Sequence, residues 1–281
     1  MSILNAFGQY RYSPVEVLSD NVLADVLKPT FLNICNELRL TKESAEELMN
    51  TIWNSPHEHS ILQFEHELQQ SVRSLISSDA LRSALERRAM REAQQVLPYV
   101  TGSTLADIGC GDGLVAWKLR ECVQSIWLID VCFYVDSRVE LPYVQNHEGE
   151  ALPVTKPFDT CLLLTVLHHA QDPVSLLQYT RRITRRRAVV IESIYGIHAS
   201  DNPSPLLCLD YERQRKYATF LDWLYNRIFH DGVPVPYNFG TPSSWQKTFE
   251  STGWHVDAAI DLGVDQPIVP EHHFLFVLKP A

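Results

Sequence analysis

The stretch Thr104-Leu-Ala-Asp-Ile-Gly-Cys-Gly-Asp-Gly113 constrains the fold more than any other: an apolar run meets three closely spaced glycines and passes directly into a helical pattern. This reads as a strand, a tight turn and a helix. Glycines let the turn adopt positive φ and let a ligand lie against bare backbone, while the start of the helix expected over Gly113–Glu121 offers unpaired N–H groups to a carboxylate. A dinucleotide fingerprint is G-x-G-x-x-G, but here the third glycine comes one place early, giving Gly109, Gly111 and Gly113. Asp107 also sets negative charge beside any pyrophosphate. An amino-acid ammonium suits it better.

Around this motif, short apolar runs alternate with helical stretches, the pattern of βαβ units and a mainly parallel sheet. Strands are expected at Thr104–Ile108, Ile126–Asp130, Val144–Glu148, Thr160–Leu164, Ala188–Glu192, His255–Leu262 and Phe274–Leu278, with further helices at Pro173–Ile183 and Pro242–Thr252. The last two strands are joined by about ten residues that include Pro267 and Pro270, too few for a parallel crossover, so the final strand should run antiparallel. Asp130 ends the second strand about twenty residues past Gly109, where a carboxylate accepts hydrogen bonds from both ribose hydroxyls.

From about Asn21 to Pro98 the pattern is helical. Val22, Leu23, Val26, Leu27, Phe31, Ile34 and Leu38 form one stripe, which Pro29 is expected to kink or split. Ser60 and Gln63 have capping-box spacing ahead of a second stripe through Phe64, Leu68 and Val72. A further helix should run from Asp79 to Leu97. The segment from Tyr195 to Gly240 is too long for a plain connection and should contribute a helix at Leu209–Phe229. The expected organisation is a helical lid region over 1–98 and a ligand-binding domain over 99–281, with a lid insertion at about 195–240. The N-terminal helices carry apolar stripes and no strands to bury them on, so the sheet's carboxyl edge is the expected site of that lid.

Composition excludes several classes. The 281 residues carry 24 Lys and Arg against 34 Asp and Glu, a net charge of −10, which lacks the field that recruits phosphate backbones. No nucleic-acid partner is expected. Arg181-Arg-Ile-Thr-Arg-Arg-Arg187 closes a helix, where cations favour the dipole's negative end, and reads as a solvated terminus. No apolar stretch approaches the roughly 18 residues of a membrane span, and Met1 to Tyr12 lacks a basic and apolar leader pattern. No membrane partner is expected, and the location read from this is cytoplasmic. The six cysteines contain no C-x-x-C pair and read as reduced thiols. His57, His59 and His66 read as surface histidines, and no metal site is expected.

Asp107-Ile-Gly-Cys-Gly-Asp-Gly113, Ile129-Asp130, Glu148-Gly-Glu-Ala-Leu-Pro153, Phe158-Asp159 and Val166-Leu-His-His-Ala-Gln-Asp172 together resemble the class I S-adenosylmethionine-dependent methyltransferases, most nearly the small-molecule group that includes quinone-ring methyltransferases. The resemblance implies an α/β fold, a Rossmann-like doubly wound seven-stranded sheet with an antiparallel last strand, and S-adenosyl-L-methionine as cofactor. It also implies that Gly109, Gly111 and Gly113 lie under the cofactor, that Asp130 holds the ribose and that Glu148 meets the adenine amino group. The family often has Asp at the adenine position, and the helix that normally follows the second strand is degraded over Val131–Leu141.

Ligands of open α/β sheets bind at the carboxyl ends of the strands, which singles out Thr165, His168, His169, Glu192 and Tyr195. Thr165 belongs with the cofactor-binding set, and His168, His169 and Tyr195 form the catalytic set. Either histidine has the chemistry to take a proton from a hydroxyl or amine attacking the sulfonium methyl. Arg88, on the helix before the glycine strand, is expected to reach the cofactor's carboxylate with its guanidinium fork, in competition with Arg87 and Arg91. Trp223, Tyr225, Asn226, His230, Tyr237 and Asn238 give the insertion the mixture of an acceptor pocket. The expected activity is methyl transfer to a small-molecule acceptor, the oligomeric state being unassigned. Its rivals are attack on another carbon of the sulfonium with release of methylthioadenosine, a non-catalytic binding module, and an NAD-dependent oxidoreductase, the last disfavoured by the glycine spacing.

Overall fold

A computed structural model describes residues 11–54, 60–146, 157–229 and 235–281. Five helices come first, α1 (Pro14–Leu18), α2 (Asn21–Glu37), α3 (Lys42–Asn54), α4 (Ile61–Leu75) and α5 (Ser78–Val96). Then follow β1 (Thr104–Ile108), α6 (Leu114–Lys118), β2 (Ser125–Asp130), β3 (Tyr143–Gln145), β4 (Phe158–Leu164), α7 (Pro173–Ile183) and β5 (Thr184–Ser193). The chain closes with α8 (Tyr211–Trp223), a π-helical turn (Leu224–Phe229), α9 (Pro242–Ser251), β6 (Trp254–Val264) and β7 (His272–Pro280). Among the described residues no helix is long and apolar enough to cross a membrane.

The chain divides into two compact units. One combines Glu86–Ser193, Gly240–Asp261 and His273–Ala281, and is built on the sheet. Its seven strands run in the order β3-β2-β1-β4-β5-β7-β6, parallel from β3 through β5 and with β7 antiparallel to β5. This is the expected Rossmann-like arrangement. β4 is buried along its whole length, as a continuous apolar run between two layers must be. The strand order reverses between β1 and β4, which pair through Leu105 and Thr160, so their carboxyl ends open side by side into the crevice where such sheets bind ligands.

The other unit combines Met1–Leu85 with Ile194–Phe239 and Leu262–His272. Within it α1 and α2 pack on α8, and the ion pairs of Arg213 and Lys216 with Asp20 tie that packing at 3.1 and 3.4 Å. Gln214, buried on α8, accepts from the N–H groups of Gly196 and Ile197 and donates to the carbonyls of Ile197, Leu206 and Leu209. One side chain thus organises the start of the insertion.

Three local expectations are corrected. α2 is not split at Pro29: the proline sits inside one 17-residue helix, and Thr30 Oγ1 donates to the Val26 carbonyl at 2.9 Å beside it. α6 has five residues and ends at Lys118 with its cap at Leu119; further on, Gln124 and Ser125 both donate to the Ser103 carbonyl as the chain turns into β2. The helix expected over Leu209–Phe229 changes to a π-helical turn after Trp223. There Glu65 on α4 accepts from Trp223 Nε1 and Arg227 Nη2, both at 2.8 Å, and Gln69 Nε2 donates to the Arg227 carbonyl at 2.6 Å. The wider turn is held by its neighbour.

Candidate functional site

After β1 the chain turns through Gly109, Gly111 and Gly113 at φ of +70°, +53° and +72°. A Cβ on Gly109 would stand 2.1 Å from Val166 Cγ2, and one on Gly113 would stand 2.9 Å from Leu128 Cδ1. Packing requires glycine at the first position, and the left-handed φ favours it at the second. At Gly111 the same construction meets nothing within 4 Å, so open space lies against bare backbone there. The helix start contributes less than its sequence promised, because Asp112 Oδ1 already accepts from Leu114 N–H at 3.0 Å.

Asp130 faces this loop from the end of β2. Its Oδ2 accepts from Gly111 N–H at 2.8 Å and its Oδ1 from Val131 N–H at 2.7 Å, leaving further acceptor capacity for vicinal hydroxyls. Burial raises its carboxyl above the ordinary value, opposed by the hydrogen bonds from Gly111, Val131 and Cys132. No helix follows between β2 and β3, as the degraded pattern implied. Instead Arg138 clasps Asp136 and Glu86, and Phe133 packs edge-on against Tyr143 with ring centroids 4.9 Å apart. Burial, then the nearby charge of Asp130, pushes the Tyr143 hydroxyl up to about 12.

Asp107 is buried at the end of β1, and among the described residues no donor is paired with its carboxylate. Burial, with like charge from Asp130, Glu92 and Asp112, pushes it up to about 8. A cation placed here would relieve all four carboxylates. Open backbone at Gly111, a buried acid at Asp107 and a strand-end acid at Asp130 fit the loop side, the ammonium and the ribose of S-adenosylmethionine.

Arg88 reaches the same neighbourhood from α5. Its Nε donates to Glu92 Oε1 at 2.9 Å, its Nη2 donates to Thr165 Oγ1 at 3.0 Å, and its charge favours the ionised form of Asp112. Thr165, just past β4, has φ +55°, a conformation unusual for a β-branched residue and held by its N–H donating to the Ile191 carbonyl at 2.7 Å.

Behind Thr165, Glu192 is fully buried at the end of β5. Its Oε1 accepts from Val166 and Leu167 N–H at 3.0 and 2.7 Å, and its Oε2 lies 2.6 Å from His168 Nδ1. A carboxylate can only accept, so Nδ1 carries the shared proton and Nε2 is the basic nitrogen. The His169 ring stands 4.1 Å from that of His168.

The sheet unit therefore gathers Arg88, Asp107, Gly109, Gly111, Gly113, Asp130, Thr165, His168 and His169. Tyr195 belongs to the helical unit, buried edge-on against Tyr211 at 5.0 Å and with the Arg215 guanidinium 5.6 Å from its ring. Trp223, Tyr237 and Asn238 are in that unit also: Trp223 and Asn238 are fully buried, and burial raises the Tyr237 hydroxyl. Glu148, His57, His59 and His230 lie outside the described residues. Sequence reading missed Glu92, whose signal was its i, i+4 spacing from Arg88.

Residues 81–259 match the family model described as a methyltransferase domain, and the chain belongs to that family as a class I S-adenosylmethionine-dependent methyltransferase. The tRNA U34 carboxymethyltransferase of Idiomarina loihiensis is 26% identical over 184 residues, 57% of this chain and 56% of that protein. The protein of the same description from Pseudoalteromonas translucida is 29% identical over 121 residues, 38% of each chain. This chain thus matches little more than half the length of one relative and 38% of the other. Among solved structures, the mitomycin 7-O-methyltransferase MmcR aligns with a TM-score of 0.48 at 16% identity, over 97% of this chain and 76% of that one. The magnesium protoporphyrin IX methyltransferase of Synechocystis PCC 6803 with bound S-adenosylhomocysteine aligns at 0.47 and 9% identity, over 73% and 89%.

Proposed function

We propose that the protein transfers the methyl group of S-adenosylmethionine to a small-molecule acceptor. The cofactor brings a methyl already activated by the sulfonium, so the chain's part is to bind, align and manage one proton. Asp130 accepts from the ribose hydroxyls, Asp107 receives the ammonium, Arg88 receives the carboxylate, and Gly111 gives the backbone its close approach. His168 takes the acceptor's proton at Nε2, and Glu192 stabilises the imidazolium that results.

The observation that carries the small-molecule reading is where the arginine run lies. Arg185 and Arg186 pair with Asp159 at 3.1 and 3.3 Å, Arg187 donates to the Tyr99 carbonyl, and Arg181 donates to the carbonyls of Gly253 and Ala281. Much of that charge meets groups of its own chain. Arg187 also precedes Glu192 by five residues along β5, roughly 16 Å at about 3.3 Å per residue, so the cluster sits towards the opposite end of the strand.

The test is mass spectrometry of the nucleoside formed when the protein meets S-adenosylmethionine and a metabolite extract. S-adenosylhomocysteine supports transfer; methylthioadenosine supports attack on another carbon; no product from a protein that binds cofactor supports a binding module. A second reading is a tRNA acceptor, favoured by the 184-residue likeness to a protein described as a tRNA U34 carboxymethyltransferase.

A further inference from the structure

The two edges of the sheet differ. β3, at one edge, has three residues, too short to offer a ladder to another chain. β6, at the other, has eleven, with a neighbouring strand on the β7 side only among the described residues. Natural edge strands are blunted by proline, lysine or a bulge, and β6 carries neither proline nor lysine. Gly263, at φ +66°, comes only near its far end, where a Cβ would stand 2.4 Å from Asn202 Cβ. Along the strand His255, Asp257 and Ala259 are exposed on one face, while Val256, Ala258 and Ile260 are half-buried on the other. Asp257 is engaged within its own sheet by Lys279 Nζ at 2.7 Å and Arg187 Nη2 at 3.8 Å.

We propose that β6 pairs antiparallel with β6 of a second copy of this chain, about a two-fold axis at Ala258, and so joins two seven-stranded sheets into one. Such an axis stands perpendicular to the sheet, so residues opposite each other share a face and lie equally far from the residue on the axis. With Ala258 there, His255 faces Asp261 of the second copy, and the symmetry repeats that pair. An imidazole N–H donates to a carboxylate whether or not the ring is charged. On the other face Val256 meets Ile260, and Asp257 meets only the small Ala259, keeping its own Lys279. Other registers lose these pairs. An axis at Asp257 sets that carboxylate against itself and one at Ala259 sets Asp257 against Asp261, and like charges directly opposite repel. An axis at Val256 leaves only Trp254–Ala258 to pair, and one at Ile260 sets Asp257 against Gly263, whose flank Asn202 fills. The strand's charge pattern thus selects a copy of itself as occupant, in one register. The contact is isologous, so association closes at the dimer.

Analytical ultracentrifugation of the full chain from about 1 to 200 μM, which reaches past the micromolar end of interface affinities, is expected to show a reversible monomer–dimer equilibrium. His255→Asp, at an exposed position, sets like charges opposite each other twice and should weaken self-association about tenfold. The register is read by disulfide trapping in a Cys122→Ser/Cys208→Ser background, which removes the exposed thiols. On oxidation with copper–phenanthroline, Ala258→Cys should link two copies, because residues facing each other on the axis have Cα atoms about 4.5–5.5 Å apart, within disulfide reach. Val256→Cys should stay unlinked, since its two copies lie four residues apart along the ladder, roughly 13 Å at about 3.3 Å per residue. A wild-type chain that stays monomeric throughout overturns the proposal, as do oligomers larger than two. A dimer that His255→Asp leaves unweakened, or in which Ala258→Cys does not link, overturns it as well. None of these readouts depends on the cofactor.

Discussion

Gly111 donates its backbone N–H to Asp130 Oδ2 at 2.8 Å, which ties the glycine loop after β1 to the carboxylate that ends β2. Two sequence signals 19 residues apart are therefore one structure. Asp130→Ala should weaken cofactor binding by about 1.5–3 kcal/mol, the range for a charge-assisted partner, and also loosen the loop. Asp130→Asn retains an oxygen for Gly111 and should lose less. Unchanged affinity in a folded Asp130→Ala protein removes the ribose assignment.

Gly109 and Gly111 should separate fold from ligand. Gly109→Ala drives a Cβ into Val166 and should lower the melting temperature with or without cofactor. Gly111→Ala meets open space and has only its left-handed φ to overcome, a cost of about 1–2 kcal/mol, yet should lose cofactor affinity. Gly111→Val should lose more. Normal binding by a folded Gly111→Val protein means the loop is a turn and nothing further.

Arg88→Gln leaves Glu92 buried without its partner and should destabilise the protein by on the order of 3 kcal/mol. The double variant Arg88→Gln/Glu92→Gln removes both charges and should recover most of that loss. Cofactor affinity should stay low in both, and wild-type affinity in either contradicts the carboxylate assignment.

With an acceptor in hand, His168→Gln should lower kcat by about 10²–10⁴-fold while S-adenosylhomocysteine affinity holds, since the proton rather than the cofactor is its charge. Glu192→Gln removes the anion that stabilises imidazolium. It should move the limb of the kcat profile set by His168 to lower pH. Full kcat in His168→Gln assigns the pair to holding the loop after β4.

The sheet was legible because its signals are local. β1 and α7 match their expected bounds, and the ten-residue link with two prolines foretold an antiparallel β7. What escaped the sequence was decided by distant partners. Apolar periodicity marked the buried faces of α2 and α8 but could not say that Ile194–Phe239 and Leu262–His272 share a unit with the N-terminal helices. The π-helical turn depends on Glu65 and Gln69, more than 150 residues upstream. In the site, glycine spacing and strand-end acids pointed to Asp107 and Asp130. The role of Glu192 required knowing that β4 and β5 are neighbours.

Cofactor-free protein should lose stability as pH rises. A carboxyl whose folded value is raised binds more protons folded than unfolded, so its contribution falls from the ordinary carboxylate range up to its folded value, here about 8 for Asp107. Asp112 and Asp130 are raised also and act in the same direction. Melting temperatures should decline between pH 5 and 8, and Asp107→Asn should flatten the decline. A wild-type profile rising over that range is inconsistent with a protonated Asp107.

The central claim, methyl transfer from S-adenosylmethionine to a small molecule, is tested most directly by following the label from methyl-labelled cofactor. The protein is incubated in parallel with a small-metabolite extract and with purified tRNA, and each pool is counted after separation from cofactor. The account predicts label in the small-molecule pool, matched by S-adenosylhomocysteine, and none in tRNA. Label in tRNA alone, or methylthioadenosine as the sole nucleoside product, contradicts it.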